Sequence, residues 1–413
     1  MAADGECAQI VSLLASVIKL VHHALEPTDI TEALKPFPLP FHTVVPRPIL
    51  MSYLPQSENN LPQVLTVSSN LTCSRRWLLT SFCIPLAMAS LLTLGLPLIS
   101  RAQGETSPVK AADKVIKVGL IGLDTSHSIA FAETLNAANA APEVANCRVV
   151  AAYPHGSKDI KSSYERIPSY TEKVKALGVE IVDSIDELLK RCDAVLLETN
   201  DGRPHLEQLI PCLKAGKPTF IDKPVAGSLS DAIKIFELSA ESKVPVFTSS
   251  ALRFSKLSLK ARNGEFGKIS EAWTTSPASL EPTHPMLYWY GIHGCESLFT
   301  ILGTGCEKVT CKKVDGKIVA RGIWKDGRIG EFREGDGYKG KAKSDQGEFD
   351  VGAFDGYRPL VVEIVKFFRN GQPPVSAEES LEIYAFMSAA EESLKHDGKE
   401  VAIADILKAA KAP

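Results

Sequence analysis

Residues 118–127 read Val-Gly-Leu-Ile-Gly-Leu-Asp-Thr-Ser-His, an apolar run that breaks at a glycine and passes into a helical pattern. A strand feeding a glycine turn at a helix N-terminus can hold a phosphate. The glycine lets the backbone come close, and the helix dipole favours the anion. Gly122 occupies the first position of a G-x-G-x-x-G spacing, while Asp124 and His127 stand where the second and third glycines belong. The candidate cradle is therefore Gly122, Leu123, Thr125, Ser126 and His127. Asp124 weighs against it, because a carboxylate repels a pyrophosphate. Asp124, like Ser126, could instead cap the helix. The acid that would bond the ribose hydroxyls at the end of the next strand is absent. The chain there reads Tyr153-Pro154-His155-Gly156-Ser157-Lys158. Ser157 and Lys158 could meet a 2′-phosphate or simply form a solvated turn.

Such residues need a strand, a turn and a helix to hold them. Apolar runs at Val115–Ile121, Arg148–Tyr153, Val179–Val182, Ala194–Glu198, Thr219–Ile221 and Val244–Thr248 predict strands. Helical patterns lie between them: one ending near Ala140, then Glu172–Leu177, Ile185–Lys190, Pro204–Ala215 and Leu229–Ser242. This alternation predicts a parallel sheet with helices on both faces over residues 111–250. Over residues 251–413 the pattern changes. Gly267–Thr275, Cys306–Val314, Lys317–Trp324 and Arg328–Arg333 read as strands, two pairs joined by Asp315-Gly316 and Asp326-Gly327 hairpin turns. Helices are expected at Met286–Leu302, Arg358–Asn370 and Ala377–Lys395, giving a second, α+β domain.

The 413 residues carry a net charge of −3, which argues against a nucleic-acid partner. The first 110 hold only 14 charged residues, about half the density of the remainder, so only the remainder reads as ordinary globular protein. From Trp77 to Ser100 no charge occurs. Arg75-Arg76 stand before this stretch and Arg101-Ala102-Gln103-Gly104 follow it. Residues 74–103 thus have the three parts of an export signal of twin-arginine type, with cleavage after Ala102. A membrane-spanning anchor is the alternative. The expected location is the periplasm, with membrane contact through this segment only. In residues 1–73, Pro36, Pro38 and Pro40 break any regular helix or strand pattern. This stretch is expected to be a disordered extension or translation from too early a start codon.

Six cysteines follow the apolar segment: Cys147, Cys192, Cys212, Cys295, Cys306 and Cys311. None forms a CxxC or sits at metal-ligand spacing from a histidine, so no metal site is expected. Buried free thiols are the favoured reading, with a Cys306–Cys311 disulfide as the oxidised alternative.

Residues 198–228 are more specific. The order strand, loop, helix, Ala215-Gly216-Lys217-Pro218, strand and Asp222-Lys223-Pro224 resembles the Gfo/Idh/MocA oxidoreductases. In that family the strand ends Glu-Lys-Pro, so Asp222 is a conservative departure and Lys223 a match. Tyr290-Gly291-Ile292-His293-Gly294-Cys295-Glu296 is similar to the family's Asp-x-Gly-x-His-x-x-Asp. Gly291 and His293 match, Glu296 stands for the later aspartate, and Trp289 replaces the first. A third similarity runs from Pro373 to Leu381 and on to Ser393. The resemblance covers residues 114–403. It implies an α/β chain with an N-terminal Rossmann-type doubly wound parallel sheet and a C-terminal α+β domain with a mainly antiparallel sheet.

The resemblance further implies NAD or NADP as cofactor, a small sugar-like substrate and a homo-oligomer formed through the open sheet face. Asn200, His205, Asp222 and Lys223 join the cradle as cofactor-binding residues. His293 would be the acid/base, suited by its ordinary pKa of about 6.5. Lys223 would stabilise the charge that develops on the substrate oxygen. Glu296 would hold the imidazole tautomer in place of the missing aspartate. Arg253, Trp289 and Tyr290 would contact substrate, with Tyr288 adding to an aromatic wall. The expected activity is NAD(P)-dependent oxidoreduction of a sugar, polyol or sugar-derived acid, with a tightly held, recycling cofactor. A carbohydrate-binding or sensor protein that has lost turnover is the competing class, favoured by Asp124, the missing ribose acid and Trp289.

Overall fold

The computed structural model describes residues 114–412. The extension, the export signal and the anchor lie outside the described residues. Among the described residues no helix is long and apolar enough to cross a membrane.

The first half builds β1 (Ile116–Ile121), α1 (Ser126–Asn136), β2 (Cys147–Tyr153), α2 (Lys161–Tyr164), α3 (Ile167–Ala176) and β3 (Glu180–Ile181). It continues with α4 (Ile185–Leu189), β4 (Ala194–Leu197), α5 (His205–Lys214), β5 (Thr219–Ile221), α6 (Leu229–Ser242) and β6 (Val246–Thr248). The strands form one parallel sheet in the order β3-β2-β1-β4-β5-β6. That order places a crevice outside the carboxyl ends of β1 and β4. Strands covered on both faces must be apolar throughout, and β4 and β5 are buried at every residue.

After a single 3-10 turn at Ala251–Phe254 come α7 (Lys256–Arg262), β7 (Ile269–Ser276), α8 (Ile292–Leu302), β8 (Cys306–Val314), β9 (Lys317–Trp324) and β10 (Ile329–Glu334). Then follow β11 (Lys339–Ser344), β12 (Gly347–Val351), α9 (Arg358–Asn370), α10 (Ala377–Lys395), β13 (Val401–Ala402) and α11 (Ile403–Ala410). The second sheet runs β12-β11-β7-β10-β9-β8-β13 and is antiparallel except where β10 pairs with β7. α8 lies flat on this sheet with every residue buried. Gly294 permits that approach, because a Cβ there would stand 2.7 Å from the Phe332 ring.

Several sequence expectations change, and the chain does not close with the helix at Ala377–Lys395 but adds β13 and α11. The helix foreseen from Met286 starts at Ile292, after tight turns over 286–291. β11 and β12 were not foreseen; their alternating lysines and carboxylates belong to a solvated face, where Lys341 pairs with Glu348. Finally, α9 does not stay with the second sheet. Its Leu360, Val361, Ile364 and Phe367 pack with Val118, Leu120, Phe131 and Phe247 on one face of the first sheet. Phe367 meets Phe247 edge-on, with ring centroids 4.9 Å apart. Each such aromatic stabilises by about 1.5–3 kcal/mol through burial, so the C-terminal segment completes the nucleotide fold. The six cysteines among the described residues are all free and buried.

Candidate active site

One cavity of about 300 Å³ opens outside the carboxyl ends of the parallel strands. Thr125, Ser126 and His127 at the α1 N-terminus form one wall, with Asn200 beside them. Lys223, from the loop after β5, and His293, from the first turn of α8, face into the same space with Trp289 and Tyr290. Lys223 Nζ lies 5.9 Å from the centre of the Tyr290 ring.

The phosphate-loop end differs from the sequence expectation. Gly122 has φ +93, and a Cβ on it would sit 2.4 Å from the Thr199 nitrogen, so glycine is required where the loop passes β4. Its N–H donates to the Tyr153 carbonyl at 3.0 Å, and the Leu123 N–H donates to that of His155 at 3.2 Å. Both donors are therefore spent within the fold, and the Leu123 side chain is buried among apolar groups. Gly122 and Leu123 thus do not form the cradle, which reduces to Thr125, Ser126 and His127. Thr125, not Asp124, caps α1 by accepting from the His127 N–H.

Asp124 turns out of the cavity. Its Oδ1 accepts from the Asn200 N–H at 3.0 Å and its Oδ2 from the Ser163 hydroxyl at 2.6 Å. Burial pushes its pKa up to about 6 against these hydrogen bonds. The repulsion foreseen for a pyrophosphate is thereby reduced. Arg166, which sequence reasoning missed, lines the same cavity and donates to the Asp124 carbonyl at 3.3 Å. Its guanidinium and the α1 N-terminus together suit an anion. Ser157, considered for a 2′-phosphate, donates instead to Asp201.

Two further cofactor candidates are internal. The His205 ring is fully buried, with Nε2 2.7 Å from the Thr199 carbonyl and Nδ1 3.2 Å from that of Val225. It fastens the β4 loop to the β5 loop and does not reach the cavity. Asp222 is also fully buried, with Oδ2 2.8 Å from His127 Nδ1. Burial opposes its charge, but His127 and Lys223 hold its carboxyl below the usual range. Burial and the Asp222 charge push the neighbouring Glu198 carboxyl well above it.

At the other end, Ser250 Oγ lies 2.7 Å from His293 Nδ1. Ser250 was not foreseen, and it supplies the imidazole partner that Trp289 cannot. Glu296 does not touch His293. Its Oε2 accepts from the Ser250 N–H at 2.7 Å, and its Oε1 accepts from the Ser249 hydroxyl and Arg253 Nε, both at 2.7 Å. Glu296 is thus a positioning residue acting through Ser250. Arg253 is no substrate ligand either: its Nη1 donates to Glu379 at 2.8 Å, and the guanidinium is buried between the two carboxylates. Arg262 completes the line at 2.7 Å from Glu379 Oε2. Burial, with the nearby Lys223 charge, holds the His293 imidazole well below its ordinary pKa, so it is neutral at pH 7.

Of the aromatic residues, Trp289 and Tyr290 line the cavity, whereas Tyr288 is buried with its hydroxyl 2.9 Å from that of Ser388. Tyr170, Tyr338, Phe354 and Tyr357 complete the aromatic lining and carried no sequence signal. They come from α3, the β10–β11 turn and the loop before α9.

Comparison with known proteins agrees with the fold that carries this site. The family model described as "Oxidoreductase family, NAD-binding Rossmann fold" matches residues 116–250. A Salmonella typhimurium protein named as an oxidoreductase, YceM, is 33% identical over 88 residues, which span 21% of this chain and 28% of that protein. Among solved structures, a Thermotoga maritima chain described as a dehydrogenase superposes with a TM-score of 0.58 at 21% identity, covering 70% of this chain and 100% of that one. The scyllo-inositol dehydrogenase of Lactobacillus casei with NAD(H) and scyllo-inositol gives 0.57 at 16% identity, over 70% and 100%. The myo-inositol dehydrogenase of the same organism with NAD(H) and myo-inositol gives 0.55 at 17%, over 70% and 96%. At these identities the structural likeness is one of fold. The nucleotide fold, residues 116–250, thus matches the Gfo/Idh/MocA family of oxidoreductases.

Proposed function

We propose that the protein is an NAD(P)-dependent oxidoreductase that acts on a secondary alcohol of a polyol, sugar or sugar-derived acid. The observation that carries this reading is the convergence of Lys223 and His293 on the cavity that the α1 N-terminus also faces. The donor set fits a dinucleotide: the α1 N-terminus and Arg166 suit its phosphates, and Asp124 is turned away from them. Asn200 and Lys223 would flank its other end. When bound, the nicotinamide supplies the hydride acceptor.

With its Nδ1–H donating to Ser250 Oγ, His293 presents the Nε2 lone pair to the cavity. Because the imidazole is neutral at pH 7, Nε2 can take the hydroxyl proton of an alcohol held there. The Lys223 ammonium stabilises the oxygen as negative charge develops on it. Glu296 and Arg253 fix the Ser250 backbone and so the direction of the imidazole. Trp289 and Tyr290 offer flat apolar surface to the C–H face of a polyol ring. The relatives solved with inositols support a cyclic polyol as the first substrate class to test. Ser250 answers the absence of the first aspartate, the feature that favoured a binding-only protein.

Calorimetric titration with NAD and NADP, followed by turnover on inositols and hexoses, tests the proposal. Binding of one equivalent and reduction that is lost in Lys223→Met are expected. Failure of both nucleotides to bind at millimolar concentration would sink it. We also infer export through the segment around Arg75-Arg76, which N-terminal sequencing of the mature protein checks against cleavage after Ala102.

A further inference from the structure

The ends of three neighbouring strands converge beneath the cavity. Ile121, Leu197 and Ile221 stand side by side across β1, β4 and β5. The next residues keep the ladder, with the Glu198 N–H donating to the Ile121 carbonyl at 2.7 Å and the Asp222 N–H to that of Leu197 at 2.8 Å. Side chains alternate along a strand. Leu197 and Ile221 lie in one apolar core, so Glu198 and Asp222 project to the opposite face, under α1. His127, in the first turn of α1, reaches down to the same place.

One potential ligand atom from each of these three residues lies within 4.8 Å of the other two. Both Glu198 oxygens and Asp222 Oδ1 are sealed from solvent and have no hydrogen-bond partner. A buried acceptor left unpaired costs about 1–3 kcal/mol, more if it is charged. Two carboxylates with three such atoms, both close to one imidazole, are suited to a common partner. Lys223, the adjacent cation, faces the cavity and donates to neither carboxylate.

We propose that His127, Glu198 and Asp222 bind one divalent cation of the zinc or manganese class, reached from the cavity on the His127 side. One imidazole and two carboxylates are a borderline-to-hard donor set that suits such ions. Donors about 2.0–2.2 Å from one ion lie up to about 4.4 Å apart. Small side-chain rotations therefore close the trio around it, opening the His127–Asp222 contact. Two carboxylates balance the ion's charge. Phe131, stacked on the His127 ring at 5.6 Å, and Tyr357, edge-on at 4.8 Å, wall the site from bulk water. The proposal does not depend on the oxidoreductase reading, since no nucleotide takes part in it.

The test uses the full chain without an affinity tag, stripped with chelator and titrated calorimetrically with zinc chloride and with manganese chloride in the absence of nucleotide. One equivalent of at least one ion is expected to bind and raise Tm. Glu198→Gln and Asp222→Asn should each weaken that binding by about 100-fold, with near-UV circular dichroism confirming that each variant is folded. No binding to the wild type at millimolar metal would overturn the proposal, leaving Glu198 as a neutral acid that donates to Asp222. Wild-type binding that persists unchanged in Glu198→Gln would also overturn it, because the ion would then sit elsewhere.

Discussion

Replacing Asp124 with asparagine should remove a pH dependence from the protein's stability. The residue is fully buried, and asparagine can keep both contacts. Its carbonyl would accept from the Asn200 N–H, and its amide would donate to Ser163 once that hydroxyl turns. What disappears is the charge. Burial raises the Asp124 pKa from the usual 3.8 to about 6. A carboxyl with a raised pKa binds its proton more tightly in the folded state. Its full favourable contribution is therefore present below pH 3.8 and is lost as pH rises through about 6. At 1.36 kcal/mol per pH unit of displacement, the whole loss is about 3 kcal/mol, of which roughly 2.5 kcal/mol falls between pH 4 and pH 8. At about 2 °C per kcal/mol for a protein of this size, the Tm of Asp124→Asn relative to wild type should climb by roughly 5 °C across that range. Other titrating groups cancel in the difference. Melting curves of both proteins at pH 4, 6 and 8 decide the matter. A Tm difference that stays flat with pH would show that the carboxylate is solvated and the buried-loop reasoning wrong.

Lys223→Met should lower kcat by roughly 10²–10³, as expected for losing one donor to a developing oxyanion, while NAD still binds by calorimetry; unchanged kcat would remove Lys223 from the mechanism. Ser250→Ala takes away the Nδ1 partner of His293, worth about 1–3 kcal/mol, so kcat should fall roughly tenfold or more with KM little changed. In the wild type, kcat should rise with pH along a limb that ends below pH 6.5, because the base form of His293 is favoured; a limb above pH 7 would contradict the burial argument. Arg253→Met strands Glu296 and Glu379 without their shared cation, a loss of about 3–5 kcal/mol that differential scanning calorimetry should show as a markedly lower Tm. An unchanged Tm with a raised KM would restore Arg253 as a substrate ligand.

The nucleotide fold was legible because buried parallel strands must be continuous apolar runs, and helix patterns separate them cleanly. β11 and β12 were not, since charged, glycine-punctuated segments such as Lys339–Ser344 become strands only when β7 offers an edge. Lys223 and His293 were found through local motifs. Ser250, Arg166 and Tyr357 were missed because each reaches the cavity from a separate stretch of chain with no fixed spacing to the others. Arg253 was misread for a related reason. An arginine after a strand looks the same in sequence whether it meets a ligand or, as here, two buried glutamates far along the chain. Glu198 did leave a trace: a carboxylate closing a fully apolar strand at the sheet's carboxyl edge is where chemistry collects.

The central claim is that one cavity holds a nicotinamide dinucleotide against Lys223 and His293. Isothermal calorimetry of the purified chain with NAD and with NADP measures this most directly. The expected result is one equivalent of one dinucleotide per chain, with affinity reduced in Arg166→Ala. No heat from either dinucleotide at millimolar concentration, in a protein whose melting curve shows it folded, would contradict the claim.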